Sequence, residues 1–299
     1  MDTVCHLRVS ACGKIDFQRW HLFVQGLQNH RPFLRRHRPD LRHPRGGSRT
    51  FARRQSDTCL TQSSKKITAR VRERLPQWIE SEVVPILLSA LQRDGVQANL
   101  SLAGNENEKL ILAYKPIKVG TGYTASTIQL EFGGRATGEP HQRHAVTCDM
   151  APTINEIVFP TAQPLVMDAE RTFWEKATAA HVYCRQGRLR GERYSRHWFD
   201  LAAMANSGHA QAAIANRELA YAVAKHKSMF FAEKDVNKNS IDYKAAISTD
   251  IQIVPVGRTL AALEKDYVAM LEDGLLSTHQ PSFAEVITQC LELQSTINR

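Results

Sequence analysis

The 299-residue chain lacks the features that mark membrane and secreted proteins. It has no run of eighteen apolar residues, which argues against a transmembrane helix. Its first twenty residues contain no apolar stretch of the kind that a secretory signal needs, so we expect a cytoplasmic protein without membrane partners. The six cysteines are scattered with no Cys-x-x-Cys pair, which excludes a disulfide scaffold and the usual zinc ribbons.

Acidic residues are scarce in only one part of the chain. The formal net charge is +9, and residues 1–60 contain twelve Lys and Arg against four Asp and no Glu. Residues 61–299 are nearly balanced, with twenty-seven basic and twenty-six acidic side chains. The excess positive charge therefore belongs to one segment and does not describe the protein as a whole.

The basic segment, residues 1–60, also lacks periodicity. Nine arginines lie between Arg31 and Arg54 among His, Pro and Gly, with no apolar spacing typical of a helix or a strand. We therefore expect residues 1–60 to be disordered. The residues leave three interpretations open, namely an RNA-binding arm, an organelle presequence and a stretch that has not been selected as protein.

Residues from 61 onward show regular apolar patterns. Apolar residues recur every four positions over 64–92, which predicts a helix that Pro76 and Pro85 interrupt. The later patterns predict three strands, at 98–102, 109–114 and 126–132, and helices that include 167–186, 195–205, 210–232 and 258–272. We expect an α/β core over 61–160 followed by a helical half over 161–299.

Three charged residues stand out as candidates for chemistry. Glu131 projects from a strand whose other face is apolar, and Lys176 lies at the edge of an apolar helical stripe. Asp200 lies on the side of its helix opposite Trp198. Each also fits an ordinary role, as a solvated strand acid, a lysine paired along its helix or an exposed helix acid, and these ordinary roles are the commoner ones.

Other motifs are weaker. His141 and His144 have no further ligand at metal-binding spacing, and Ser207-Gly-His209 has no nucleophile elbow around it. Gly120-Thr-Gly-Tyr123 is too short for a phosphate-binding loop and lacks its lysine. From composition and spacing alone, the chain is an α/β protein without an assigned reaction.

Five segments are distinctive in combination, namely Val71-Arg-Glu-Arg-Leu-Pro76, Leu130-Glu-Phe-Gly-Gly-Arg-Ala-Thr-Gly-Glu-Pro140, Ala169-Glu-Arg-Thr-Phe-Trp-Glu-Lys176, Arg196-His-Trp-Phe-Asp-Leu201 and Lys225-His-Lys-Ser-Met-Phe-Phe231. Together they resemble the AbiEii/AbiGii toxin family of nucleotidyltransferases. The resemblance covers roughly residues 61–299.

The resemblance implies an α/β (α+β) fold, with a polymerase-β-like nucleotidyltransferase core, incomplete at its N-terminus, and a helical C-terminal half. Members are toxins of two-gene toxin–antitoxin pairs, so an antitoxin encoded alongside is the expected partner. They move a nucleotide from an NTP to an RNA such as tRNA. The family's helix lysine and later helix aspartate fall on Lys176 and Asp200, which are the expected catalytic residues, and a third carboxylate falls on Glu131, the expected Mg²⁺ ligand.

The family's nucleotide-binding segment is missing from residues 1–60. Members open with Gly-Gly-Thr-Ser-Leu-Ser-Lys, followed by Ser-Glu-Asp-Ile-Asp, and neither string occurs here. Read from the second base of each codon, however, Phe17–Gln25 can spell Phe-Lys-Gly-Gly-Thr-Ser-Leu-Ser-Lys, and Leu34–Pro39 can spell Ser-Glu-Asp-Ile-Asp-Leu. We therefore hypothesise a frameshift, with residues from Phe17 at the latest to about Pro44, and at most to Cys59, translated out of frame, and expect the chain as written to be inactive.

Two alternatives from other functional classes remain. The chain could be a non-catalytic RNA-binding protein whose arginine-rich arm contacts phosphates. It could also be a decoy that binds the antitoxin without catalysis.

Overall fold

A computed structural model describes residues 65–105, 107–116, 127–133, 138–147, 151–156, 158–159, 161–272, 276 and 281–299. The predicted disorder of residues 1–60 and the Gly120-Thr-Gly-Tyr123 motif lie outside the described residues. The chain divides into two compact units at Met167 and Asp168. None of the described helices has the length and apolarity to cross a membrane.

The described part of the first unit begins with a helical segment in three parts. Helix α1 covers residues 65–78, a π-helical turn covers Ile79–Val83, and α2 covers Val84–Arg93. The Val84 N–H donates to the Ile79 carbonyl, five residues back. The change of hydrogen-bond pattern falls at Pro85, which has no N–H to donate to the preceding turn. The predicted helix over 64–92 is therefore confirmed, with its irregularity just before Pro85. The predicted interruption at Pro76 is wrong, because α1 continues through Pro76 to residue 78.

A three-stranded antiparallel sheet follows in the order β1, β2, β3. The strands are β1 Ala98–Ala103, β2 Lys109–Tyr114 and β3 Thr127–Glu131. In the register of β2 and β3, Leu110 lies opposite Leu130 and Lys109 opposite Glu131. The three predicted strands are confirmed with ends within one residue of the predicted ones.

Alternation along these strands builds the core of the first unit. One face of the sheet is buried and packs with the helical segment through Ile79, Val83, Leu87, Leu110, Leu112, Ile128, Leu130 and Phe132. The opposite face carries half-buried or exposed residues, as expected for period-two strands with one apolar side. Two short antiparallel pairs complete the described strands, β4 His141–Arg143 with β7 Leu165–Met167 and β5 Val146–Thr147 with β6 Thr161–Ala162.

The second unit is helical. Its helices are α3 Ala169–Gln186, α4 Arg196–Asn206, α5 His209–Ala215, α6 Arg217–Phe230, α7 Tyr243–Ala246, α8 Gly257–Glu272 and α9 Phe283–Ile297. The single helix predicted over 210–232 is wrong, because α5 and α6 divide at Asn216. The Asn216 side chain accepts a hydrogen bond from the Leu219 N–H at 3.1 Å and so caps the start of α6. The order of elements confirms the predicted α/β fold class with a helical C-terminal half.

Two fully buried tryptophans organise the core of the second unit. Trp174 donates its indole N–H to the Ala213 carbonyl at 3.0 Å, and Trp198 donates to the Ile253 carbonyl at 2.7 Å. Each ring therefore buries a large apolar area while its one polar atom keeps a partner. These bonds fix α3 against α5, and α4 against the chain that precedes α8.

His181 on α3 is a buried histidine that must stay neutral. Its Nδ1 accepts the Gln252 N–H at 3.0 Å, a role that the ring can perform only while that nitrogen is unprotonated. Burial, reinforced by the nearby Arg185 charge and opposed by Asp250, lowers the pKa of His181 to about 4. Protonation is thus opposed by both the surroundings and the hydrogen bond.

We predict that His181 makes the fold sensitive to mild acid. Between pH 6.5 and about 4 the unfolded chain binds a proton at this residue and the folded chain does not, so stability falls as the pH falls. The expected loss is roughly 3 kcal/mol. Urea unfolding at pH 7 and pH 4.5 should show a smaller loss for His181→Asn, whose side-chain oxygen can accept the same N–H. Equal losses in both proteins would contradict this role of His181.

Candidate functional site

Lys176 and Asp200 form an ion pair between α3 and α4. The Lys176 Nζ contacts the Asp200 Oδ2, and the two side chains are 17% and 34% exposed. The lysine is therefore largely removed from solvent, whereas the aspartate lies at the rim. The two residues that the family resemblance implies to be catalytic thus lie in contact, although they are far apart in sequence.

The buried tryptophans explain why these two residues meet. Lys176 follows Trp174 by two positions, and Asp200 follows Trp198 by two positions. Two residues along a helix are separated by about 200° of rotation, so each charged residue lies on the side of its helix away from the buried ring. Anchoring both rings in the core therefore leaves Lys176 and Asp200 at the margin of the α3–α4 contact.

The connection between α3 and α4 is fixed at both ends. Gly187 ends α3 in the left-handed region with φ 62°, and the following Arg188 N–H donates to the Tyr183 carbonyl at 3.4 Å. At the other end, the Asp266 carboxylate of α8 accepts the Arg193 N–H at 2.6 Å and the Ser195 N–H at 2.8 Å. Asp266 therefore holds the start of α4, the helix that carries Asp200.

Glu175, the residue before Lys176, is the centre of a second set of charges. Glu175 accepts a hydrogen bond from Arg171, one helical turn earlier, at 3.1 Å and contacts Lys227 Nζ of α6 at 2.6 Å. The Arg171 and Lys227 side chains are only 6% and 13% exposed. The sequence patterns did not single out three residues that support the site, Glu175, Lys227 and Asp266. The local signals were Arg171 and Glu175 at i,i+4 and the place of Lys227 inside a family-like string.

The surroundings keep Glu175 ionised. Burial by itself raises the pKa of Glu175, but the charge and hydrogen bond of Lys227, with help from Arg171 and His226, outweigh it. The net result is a pKa below the ordinary value of 4.5. Glu175 is therefore a carboxylate at neutral pH and ties α3 to α6 at the turn that carries Lys176.

Glu131 lies in the first unit, at the end of β3. It is half-buried on the sheet face opposite the core, and its cross-strand neighbour in β2 is Lys109. Such a neighbour suits an ordinary surface pair of opposite charges. Lys176 and Asp200 belong to the second unit. The role of Glu131 as a Mg²⁺ ligand beside them stays a prediction.

The described residues do not by themselves fit a Mg²⁺ site. Among them, no group of three or more His, Cys, Asp or Glu side chains could hold a metal ion, and this includes His141 and His144. Mg²⁺ takes six oxygen ligands in a near-ideal octahedron and usually needs carboxylates together with phosphate or water oxygens. Asp200, the acid of the candidate pair, has its carboxylate engaged by the Lys176 ammonium.

Comparison with known families identifies the chain. A family model for the nucleotidyl transferase AbiEii toxin of a type IV toxin–antitoxin system matches residues 56–289. The chain belongs to the AbiEii family. No curated protein and no solved structure matches it. The match confirms the resemblance drawn from the sequence, and it includes Glu131, Lys176 and Asp200, whereas Phe17–Pro39 precede it.

We predict that the Glu175–Lys227 pair stabilises the helical unit because the carboxylate and the ammonium neutralise each other inside it. Glu175→Gln leaves the Lys227 ammonium without its carboxylate and should destabilise the fold by roughly 3 kcal/mol. Combining it with Lys227→Met should recover part of that loss, because the Lys227 ammonium is then no longer present as a buried charge without its carboxylate, whereas Arg171 still lacks the Glu175 carboxylate.

Urea unfolding at pH 7 measures both variants. Glu218→Gln, an exposed change on the same helix as Lys227, is the matched control and should alter stability by about 0.5 kcal/mol or less. Purely additive effects of the two substitutions would show that the pair is not coupled.

Proposed function

We propose that Lys176 and Asp200 are the catalytic pair of an enzyme that transfers a nucleotide from an NTP to an RNA such as tRNA. The observation that carries this proposal is their ion pair. Two family-like segments, on two different helices, place a lysine and an aspartate in contact at the margin of the core. Membership in a family of nucleotidyl transferases supplies the reaction class.

The geometry suits a lysine that binds phosphate. An ammonium has three N–H donors, and Asp200 occupies one of them, which leaves donors for phosphate oxygens. In nucleotidyl transfer, an RNA hydroxyl oxygen loses its proton to solvent and forms a bond to the α-phosphorus, and the α–β phosphoanhydride bond breaks as pyrophosphate leaves. A lysine held in position by Asp200 can stabilise the negative charge that develops on the transferring phosphate.

We also propose Glu131 as a ligand for the Mg²⁺ that the family implies. One carboxylate does not hold this ion, because Mg²⁺ requires several oxygen ligands in near-octahedral geometry. The missing ligands are those of the Ser-Glu-Asp-Ile-Asp string that residues 1–60 lack. We therefore propose that the chain as written transfers no nucleotide and is not toxic.

The second candidate function is RNA binding without catalysis. Eleven arginines in residues 1–60 favour it, because arginine side chains bind phosphates without a defined fold. Because the family is a toxin of a toxin–antitoxin system, an antitoxin is the implied protein partner in either case. A decoy that binds this antitoxin would need neither Lys176 nor Asp200.

We predict that restoring the reading frame recovers activity and that this activity depends on both residues. The coding DNA should spell Gly-Gly-Thr-Ser and Asp-Ile-Asp across Phe17–Pro39 when read from the second base, without a stop codon. In the restored chain, Lys176→Ala and Asp200→Ala should each reduce labelled-nucleotide transfer to RNA by about 100-fold or more.

Lys225→Ala serves as the matched control, because Lys225 is exposed on α6 and lies in the third helical string without belonging to the pair. Full activity in Lys176→Ala, or robust transfer by the chain as written, would refute the proposal.

A further inference from the structure

Positive charge in the second unit is concentrated at one end of the α3–α4 hairpin. Residues 185–196 contain five Arg and one Glu, and residues 233–238 add two Lys, one Glu and one Asp. We call these two segments together the arginine-rich surface. Residues 168–299 as a whole contain sixteen basic and sixteen acidic side chains. The positive charge of this surface is therefore a local excess within a unit whose charges balance.

Hydrogen bonds hold the two segments against each other. The Val236 N–H donates to the Arg185 carbonyl at 3.1 Å, and the Gln186 side-chain amide donates to the Lys234 carbonyl at 2.9 Å. Gln186, Arg188 and Lys234 line an open depression between the segments. The cations of both segments therefore belong to one continuous surface.

The two acids of the second segment are already neutralised by arginines. Glu233 contacts Arg190 at 2.8 Å, and Asp235 lies 4.0 Å from Arg185. Arg188 and Lys234 are exposed, and neither forms an ion pair with a carboxylate of the described residues. Glu192, also exposed, is the acid that remains on this surface. The surface therefore presents cations to solvent even though it contains three acids.

Aromatic side chains connect this surface with the Lys176–Asp200 pair. Tyr183 follows Lys176 by two helical turns on the same face of α3, about 10 Å away. Its ring packs edge-on against Tyr194 at 5.0 Å, and the Arg190 guanidinium lies 5.8 Å from the Tyr183 ring centre. Half-buried tyrosines among arginines are typical of surfaces that bind single-stranded nucleic acid.

The length of α3 sets the distance from the pair to the arginine-rich surface. Gln186 follows Lys176 by ten residues, which is about 15 Å along the helix. A single RNA strand of a few nucleotides covers this distance. An RNA whose end lies at Lys176 would therefore carry its next phosphates toward Arg188 and Lys234.

We propose that the arginine-rich surface binds the phosphate backbone of the RNA strand whose end is held at Lys176 and Asp200. This inference rests on the proposed function and adds to it the docking site of the acceptor RNA. Arginine side chains suit the role because the guanidinium matches phosphate oxygens in a two-pronged geometry. Contacts of this kind position the strand and carry no sequence preference.

Binding can be tested on the full chain without catalysis. The probe is a fluorescein-labelled RNA hairpin with a four-nucleotide single-stranded 3′ end, followed by anisotropy from 50 to 200 mM salt. The test variant is Arg188→Glu with Lys234→Glu, and the control is Arg217→Glu with Lys265→Glu. Both variants change the net charge equally at exposed residues, and residues 1–60 contribute the same binding to both.

The test variant should bind at least about 10-fold more weakly than the control. The slope of its log affinity against log salt concentration should correspond to about one to two fewer phosphate contacts. Affinity and salt slope equal to those of the control would overturn the proposal. If circular dichroism shows that the Glu variant does not fold, Arg188→Gln with Lys234→Gln tests the same contacts.

The outcome is independent of the proposed reaction. If the restored-frame chain transfers nucleotides while the test variant binds RNA as the control does, the acceptor docks elsewhere and the proposed function stands. If Lys176→Ala keeps full transfer in that chain, the proposed function fails, whatever the binding measurement shows.

Discussion

Two buried tryptophans on neighbouring helices determine where the candidate site lies. Trp174 and Trp198 each satisfy their indole N–H inside the core, so the rotation of α3 and α4 is fixed by burial together with one directed hydrogen bond. That rotation leaves Lys176 and Asp200 in contact at the rim. The buried tryptophans, and not the ion pair, hold α3 and α4 in place. The Lys176–Asp200 pair at the edge of the core is therefore available to a ligand.

The charges around this pair stabilise the elements that carry it. Glu175 is held by Lys227 and Arg171, and its ionised form is maintained although it is mostly buried. Asp266 accepts two backbone N–H groups at the start of α4, where the helix has no side-chain cap of its own. Buried charges lower the stability of a fold unless they are paired. Their presence beside the candidate site fits a role in fixing the positions of the helices that carry Lys176 and Asp200.

Local patterns predicted the strands and most helices, because alternation and four-residue spacing record which face each element buries. They failed at Asn216, since apolar residues continue at helical spacing through the break, and the capping bond that divides α5 from α6 depends on a single side chain. The helical pattern marks Lys176 and Asp200 only as candidates with commoner ordinary roles, and the family resemblance is what gives them a catalytic role. The partners Lys227 and Asp266 come from distant helices, and only the tertiary packing brings them to α3 and to the start of α4.

The central claim is that the Lys176–Asp200 pair acts on a phosphate and does more than fasten α3 to α4. Exchanging the two charges, Lys176→Asp with Asp200→Lys, in the restored-frame chain tests this most directly. The exchange keeps an attractive pair between the helices, so we expect a free energy of unfolding within about 1 kcal/mol of the parent. Nucleotide transfer to RNA should nevertheless fall by about 100-fold or more, because the ammonium now projects from the other helix. Transfer at the parent rate by the exchanged chain would contradict the account.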